Sequence, residues 1–359
     1  MPHTTQTVRA VRDGVNTTVS YRQHHALGGG YQGRTFLHPS YVAALPGGDV
    51  VVSDTWHHQL QVLSPLGRLR ATIGSFGVGR GELWQPSGVA ANNFSIFVAE
   101  TLNHRVQKIR WPNTSATRVV GSYGRGPAQL RFPHGLLVYN GSLFVADTLN
   151  HRIARFWTFA LKFAGTFGRR GALPGQLSYP AALAVHAAQL FVADSGNDRI
   201  SVFDCSGGFL RAFGGAGERA GSFLLPVGIA AADGRLYVSE HHGRRVQVLS
   251  PRGEAEHVIE LPLGTPAGLC AIRRRGYSQL LAVDSERHVV HNVVYRAEGD
   301  RPPNWYAELF PAARRRGGKN GSHERRGRAP APRNGSHATA LEAWLRATPR
   351  PPAASRTTP

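Results

Sequence analysis

The sequence predicts an all-β fold, a six-bladed β-propeller of four-stranded antiparallel blades, on three observations. An acidic residue closing an apolar run recurs at Asp54, Glu100, Asp147, Asp194, Glu240 and Asp284, in steps of 44 to 47 residues. A period of that size marks a repeat architecture and takes precedence over any local motif. A proline opens a second apolar run upstream of each acid, at Pro39, Pro86, Pro133, Pro180, Pro226 and Pro266. Between these landmarks, β-branched and aromatic residues fill short runs separated by turn residues, and no helical period competes. Four strands in a unit of this length make a propeller blade.

Each element has a local cause. Proline fixes φ and cannot donate to a ladder, which suits the start of an innermost strand. The glycine two residues later, in Pro86-Ser87-Gly88, Pro133-His134-Gly135, Pro226-Val227-Gly228 and Pro266-Ala267-Gly268, permits close backbone approach around a crowded axis. In the third unit the strands are predicted at 135–139, 143–147, 152–156 and 161–167, with Asn140-Gly141 as a hairpin turn. The sixth unit supplies three strands, 269–272, 279–284 and 288–295, and no good fourth. The stretch 17–24 is predicted to supply it, so that an N-terminal strand completes the last blade and removes an open edge. Residues 1–18 are then an N-terminal extension, 19–296 the propeller and 297–359 a tail.

Three elements carry a family resemblance. They are the Pro-x-Gly-aliphatic run, the Val-Ala-Asp/Glu-Ser/Thr block of 98–101, 145–148 and 192–195, and the turns Asn103-His104-Arg105, Asn150-His151-Arg152 and Asn197-Asp198-Arg199. Over 19–296 they resemble the NHL-repeat proteins, a class of six-bladed propellers. Units two to four match best. In the first and last, His57 and Arg287 stand in place of the Asn, and Gln59 and Val289 in place of the Arg. The resemblance implies one of three uses: a protein- or RNA-binding platform, an extracellular sensor or adhesion module, or the zinc-dependent lyase half of peptide-amidating enzymes. Fold alone does not choose among them.

The formal net charge is +20, and lysine accounts for only Lys108, Lys162 and Lys319 of the cations. Arginine with interleaved aromatics (Trp84, Trp111, Tyr123, Trp157, Tyr179) suits an RNA partner, through phosphate neutralisation and base stacking. Compositional enrichment of Arg, Ala, Gly and Pro together is the competing explanation. The tail, with Arg314-Arg315-Arg316 and Arg325-Arg326-Gly327-Arg328, is expected to be disordered. No apolar run approaches the ~20 residues of a membrane span. The N-terminus lacks the apolar core of a signal peptide, and Cys205 and Cys270 fall in different blades. A cytoplasmic or nuclear monomer is expected, secreted only if this N-terminus is incomplete. Against this stand six Asn-x-Ser/Thr sequons, at Asn16, Asn93, Asn113, Asn140, Asn320 and Asn334.

Alternation of hairpins puts the turn after each second strand on the same rim as the loop leading into each blade. The pairs Glu100–Arg105, Asp147–Arg152, Asp194–Arg199 and Glu240–Arg245 repeat in every good blade, so they read as scaffold. Residues of that rim that vary between blades are the candidate binding face: Arg80, Trp84, Arg125, Arg131, His134, Arg169, Arg170, Tyr179 and Arg219. His134 has a second reading, because Pro133-His134-Gly135 is similar to a zinc-ligand segment of the amidating lyases. That family's site takes three such histidines, whereas the equivalent positions here are Ser40, Ser87, His134, Ala181, Val227 and Ala267. No nucleophile motif or phosphate loop appears, and no cofactor or metal is expected. The sequence thus reads as a non-catalytic scaffold for RNA or a protein partner. The alternative is a metal-dependent lyase, or a calcium-dependent hydrolase, in the central channel.

Overall fold

The structure is a computed structural model, which describes residues 5–12, 15–23, 36–65, 67–259, 264–274 and 277–295. It is an all-β, six-bladed propeller of antiparallel meanders. Blade 1 comprises Pro39–Ala44, Val50–Asp54, Gln59–Leu63 and Leu69–Ile73. Blade 2 follows with Pro86–Ala91, Ser95–Glu100, Arg105–Arg110 and Ala116–Val120. Blade 3 is Pro133–Tyr139, Ser142–Asp147, Arg152–Trp157 and Lys162–Phe167. Blade 4 is Pro180–His186, Gln189–Asp194, Arg199–Asp204 and Phe209–Gly214. Blade 5 is Pro226–Ala232, Arg235–Glu240, Arg245–Leu249 and Ala255–Ile259. Blade 6 contributes Pro266–Arg274, Tyr277–Asp284 and Val289–Tyr295. Two further strands, Thr5–Arg12 and Val15–Gln23, pair with each other, and the second meets Val293 and Val294 of blade 6. His24 and the tail 297–359 lie outside the described residues.

The innermost strands neighbour one another in a cycle that returns from blade 6 to blade 1. Glycine makes that crowding possible. A Cβ on Gly135 would lie 2.4 Å from the Ala181 carbonyl oxygen, and one on Gly228 2.4 Å from that of Ala267. The second strand of each blade is covered on both faces, which is why it reads as a continuous apolar run rather than an alternating one. Three residues before each acid, Val51, Phe97, Phe144, Phe191, Tyr237 and Leu281 are almost fully buried between blades. Burying each such side chain contributes about 1.5–3 kcal/mol.

Two belts of side-chain hydrogen bonds tie blade to blade. In every blade but the fifth, where His241 follows the acid, the hydroxyl after the acid donates to the carbonyl of the next blade's leading proline: Thr55 to Pro86 (2.7 Å), Thr101 to Pro133 (3.0 Å), Thr148 to Pro180 (2.9 Å) and Ser195 to Pro226. Ser285 to Pro39, at 2.6 Å, closes the circle across 246 residues of sequence. The second belt uses the residue four after the acid, which accepts the N–H of the residue before the next proline. His58 takes Gln85 (3.2 Å), His104 takes Phe132 (3.2 Å), His151 takes Tyr179 (3.1 Å), Asp198 takes Leu225 (2.7 Å) and His288 takes His38 (2.9 Å). Those five donors all sit in the left-handed region, at φ 46–56°, a conformation that costs an L-residue about 1–2 kcal/mol. The interblade bond offsets that cost.

Candidate functional site

Loops leading into blades 2 to 5 share a Gly-x-x-Gly segment, at 74–77, 121–124, 168–171 and 214–217. Each is pinned by the scaffold pair of its own blade. Arg152 Nε donates to Asp147 Oδ2 at 2.7 Å, and its Nη atoms donate to the carbonyls of Arg125 (3.0 Å), Gly126 (3.1 Å) and Gln129 (2.8 Å). Asn150 bridges Asp147 Oδ2 (2.8 Å) and the Gly124 carbonyl (2.9 Å). Glu100–Arg105 (2.6 Å), Asp194–Arg199 (2.8 Å) and Glu240–Arg245 (2.6 Å) do the same work in blades 2, 4 and 5. Burial raises the Asp147 and Asp194 carboxyls above the usual range, opposed by hydrogen bonds from Arg131 N, Asn150 and Arg152 in one case and from Asn197, Ser178 N and Arg199 in the other.

In blade 1 the network survives different residues: His57, Gln59 and Gln61 all reach Asp54 Oδ2, at 2.8, 3.0 and 2.7 Å. In blade 6, burial would raise Asp284, but hydrogen bonds from His291 and the N–H groups of Arg287, Gly264 and Thr265 hold it at about 2.

On this rigid frame the third residue of each segment is free to vary, running Phe76, Tyr123, Arg170 and Ala216 around the ring. Phe76 is 56% exposed and Tyr123 60%. Each belongs to a cluster at a blade junction. Phe76 lies 5.0 Å from His58 and 5.7 Å, edge-on, from Trp84. Tyr123 lies 5.0 Å from His104, with the Arg131 guanidinium 5.3 Å from its centre. Trp56, itself exposed, stacks 4.0 Å from His38 at the junction of blades 6 and 1. The Arg131 Nε has no hydrogen-bond partner among the described residues. Burial, with the Arg131 charge, pushes His104 down to about 4, so its Nδ1 stays an acceptor.

Charge follows the same asymmetry. Residues 86–167, blades 2 and 3, hold nine Lys/Arg against two Asp/Glu, and both acids are buried in scaffold pairs. Residues 168–259, blades 4 and 5, hold nine against eight, and 36–85, blade 1, three against three.

Of the candidates read from the sequence, Arg80, Arg125, Arg169, Arg170 and Arg219 are exposed on the loops, while Trp84 and Arg131 are half-buried beside them. Two are elsewhere. Tyr179 is 4% exposed, because its left-handed backbone turns the ring inward against His151, 4.4 Å away. His134 is 6% exposed and lies within hydrogen-bond reach of Tyr41 Oη and the Ala181 carbonyl, both at 3.3 Å; burial pushes it down to about 4. It belongs to the channel and not to the rim.

Tyr41 stands where four other blades carry glycine and blade 4 carries Ala182. Its phenol crosses the axis, donating to the carbonyls of Ala181 (2.8 Å) and Val227 (3.1 Å) of blades 4 and 5. Among the described residues no three His, Cys, Asp or Glu side chains group as metal ligands would. No helix among them is long and apolar enough to cross a membrane. The exposed rings Phe76 and Trp56, and Tyr41 itself, were missed as site residues. Aligning the Gly-x-x-Gly segments by period would have found Phe76 and Tyr123 together.

The NHL repeat family model matches residues 36–63, within the first blade, where the turn residues depart from the pattern. A search of curated proteins finds no match. Solved structures share the fold at low identity. A streptogramin B lyase structure is 16% identical with a TM-score of 0.53, over 77% of this chain and 87% of that one. A catalytically inactive virginiamycin B lyase from Staphylococcus aureus with quinupristin is 14% identical with a TM-score of 0.55, over 82% and 99%. A nidogen/laminin complex gives 16% and 0.54, over 70% and 94%. A lyase and a nidogen/laminin complex on one fold leave function to the site. Residues 36–63 match the NHL repeat, and the chain that carries them is a six-bladed β-propeller.

Proposed function

We propose that the chain is a non-catalytic binding platform whose loop rim, over blades 1 to 3, takes single-stranded RNA. The observation that carries this reading is the coincidence of exposed rings with unbalanced positive charge. Phe76 and Tyr123 occupy equivalent rim positions beside Trp84 and Arg131, and the same loops expose Arg80 and Arg125. Stacking contributes about 1–3 kcal/mol per base and tolerates every base. Arg80, Arg125 and Arg131 would neutralise phosphates.

Tyr41 across the axis favours the rim over the channel, where the lyase and hydrolase alternatives would need their ligands. The same reading has 15–23 completing blade 6, supported by its two ladder positions on Val293 and Val294. The test is binding of a fluorescent single-stranded RNA to wild type and to Phe76→Ala/Tyr123→Ala. At least tenfold weaker binding with an unchanged unfolding midpoint is expected; unchanged affinity refutes the rim as the site.

A further inference from the structure

The opposite face of blades 2 and 3 carries a second, unassigned surface. Turns between first and second strands, and between third and fourth, all emerge there. Phe94, in the first turn of blade 2, is 74% exposed, and Phe159, in the last turn of blade 3, is 87% exposed. Trp157 ends the third strand of blade 3 and is also exposed, with the Arg155 guanidinium 5.6 Å from its ring. Soluble surfaces expose single apolar side chains routinely, but large aromatic rings on adjacent turn tips need a reason.

Hydrogen bonds fix each tip. The Trp111 N–H donates to the Phe94 carbonyl at 3.0 Å. Lys108 Nζ, from blade 2, donates to the carbonyls of Thr158 and Phe159 of blade 3, both at 3.0 Å, and lies 5.8 Å from the Phe159 ring. Around the rings stand the exposed cations Arg110, Arg118 and Lys162. Burial, then the charges of Arg118 and Arg110, hold Lys108 below its ordinary value, which shows how closely these cations gather. Within blades 2 and 3 no acid offsets them: Glu100 and Asp147, the two acids of 86–167, end the second strands on the loop face and are buried in ion pairs.

We propose that these turn tips dock the propeller on an anionic lipid surface, with Phe94, Trp157 and Phe159 entering the headgroup layer and Arg110, Arg118 and Lys162 meeting lipid phosphates. Aromatic rings flanked by Lys and Arg are the composition of a membrane–water interface. The rings sit on convex tips, which insert into a soft layer more readily than they fill a rigid partner's pocket. The sequon residues Asn93, Asn113 and Asn140 are exposed on turns of this same face, so glycans there would block docking.

The test uses the full chain with vesicles of phosphatidylcholine, alone and mixed with phosphatidylserine, read by sedimentation. Binding to the mixed vesicles only is expected. Phe94→Ser/Phe159→Ser should cut it more than tenfold, and Arg110→Ala/Arg118→Ala/Lys162→Ala on the order of 100-fold, at about fivefold per cation. Neither should change the unfolding midpoint by more than a degree or two, nor RNA binding on the opposite rim. No sedimentation with either vesicle overturns the proposal. So does equal sedimentation of wild type and both variants, which would put the attraction elsewhere in the chain. Loss of an acidic protein partner with intact vesicle binding in the same variants would also overturn it, assigning the patch to protein.

Discussion

Protonation should loosen the ring, and His104 is where to measure it. Its Nδ1 accepts the Phe132 N–H at 3.2 Å across the junction of blades 2 and 3. That bond requires the neutral ring, and burial together with Arg131 lowers the group from 6.5 to about 4. The sign follows directly. A depressed folded-state value contributes stability that is present above pH 6.5 and lost as pH falls toward 4. A full shift of this size corresponds to about 3 kcal/mol, which solvent screening of a half-buried ring cuts to about 1–2 kcal/mol.

Blade 4 supplies the control, since Asp198 Oδ1 accepts the equivalent N–H at 2.7 Å with no imidazole at all. His104→Asn keeps an acceptor and a residue tolerant of positive φ, but it does not titrate. Urea unfolding at about pH 7.5 and about pH 5 should then show the wild type losing roughly 1 kcal/mol more than the variant between the two. The raised Asp147 and Asp194 act in the opposite sense, adding stability as pH falls, but they are common to both proteins and cancel. Identical pH dependence of the two would refute the argument that this imidazole is held neutral by its interblade role.

Other predictions concern the frame. Ser285→Ala removes the hydroxyl that closes the ring on the Pro39 carbonyl and should cost about 1–3 kcal/mol in urea unfolding; no change would mean the closing bond is dispensable. Arg152→Ala leaves Asp147 buried without its cation, and a loss of about 3–5 kcal/mol is expected, partly restored by adding Asp147→Ala. Gly135→Ala puts a Cβ 2.4 Å from the Ala181 carbonyl oxygen and should lower the thermal midpoint by an amount equivalent to about 1–3 kcal/mol.

Much of the frame was legible because it repeats. Spacing of the acids located every blade, and the pairing of Asp147 with Arg152 could be read from five residues' separation across a tight turn. Blade 3 differs from the reading mainly in where its inner strand starts, at Pro133 and not Gly135. Position on the rim was harder. Tyr179 and Trp84 look alike as loop aromatics, yet a left-handed backbone before Pro180 buries the first. His134 shares a rim loop in sequence, but it follows the proline and so joins the inner strand facing the axis. Tyr41 was invisible as a channel residue, because its contacts reach blades 4 and 5, some 140 to 186 residues away. The crowding of charge into blades 2 and 3 needed blade boundaries before it could be counted.

Binding of single-stranded RNA by the rim of blades 1 to 3 is tested by the salt dependence of affinity. Each phosphate contact to a single strand contributes a slope of about 0.7 in log affinity against log salt. Arg125→Ala/Arg131→Ala should therefore weaken binding and flatten the slope by about 1.4 relative to wild type. Wild-type affinity and slope in that variant would contradict the claim.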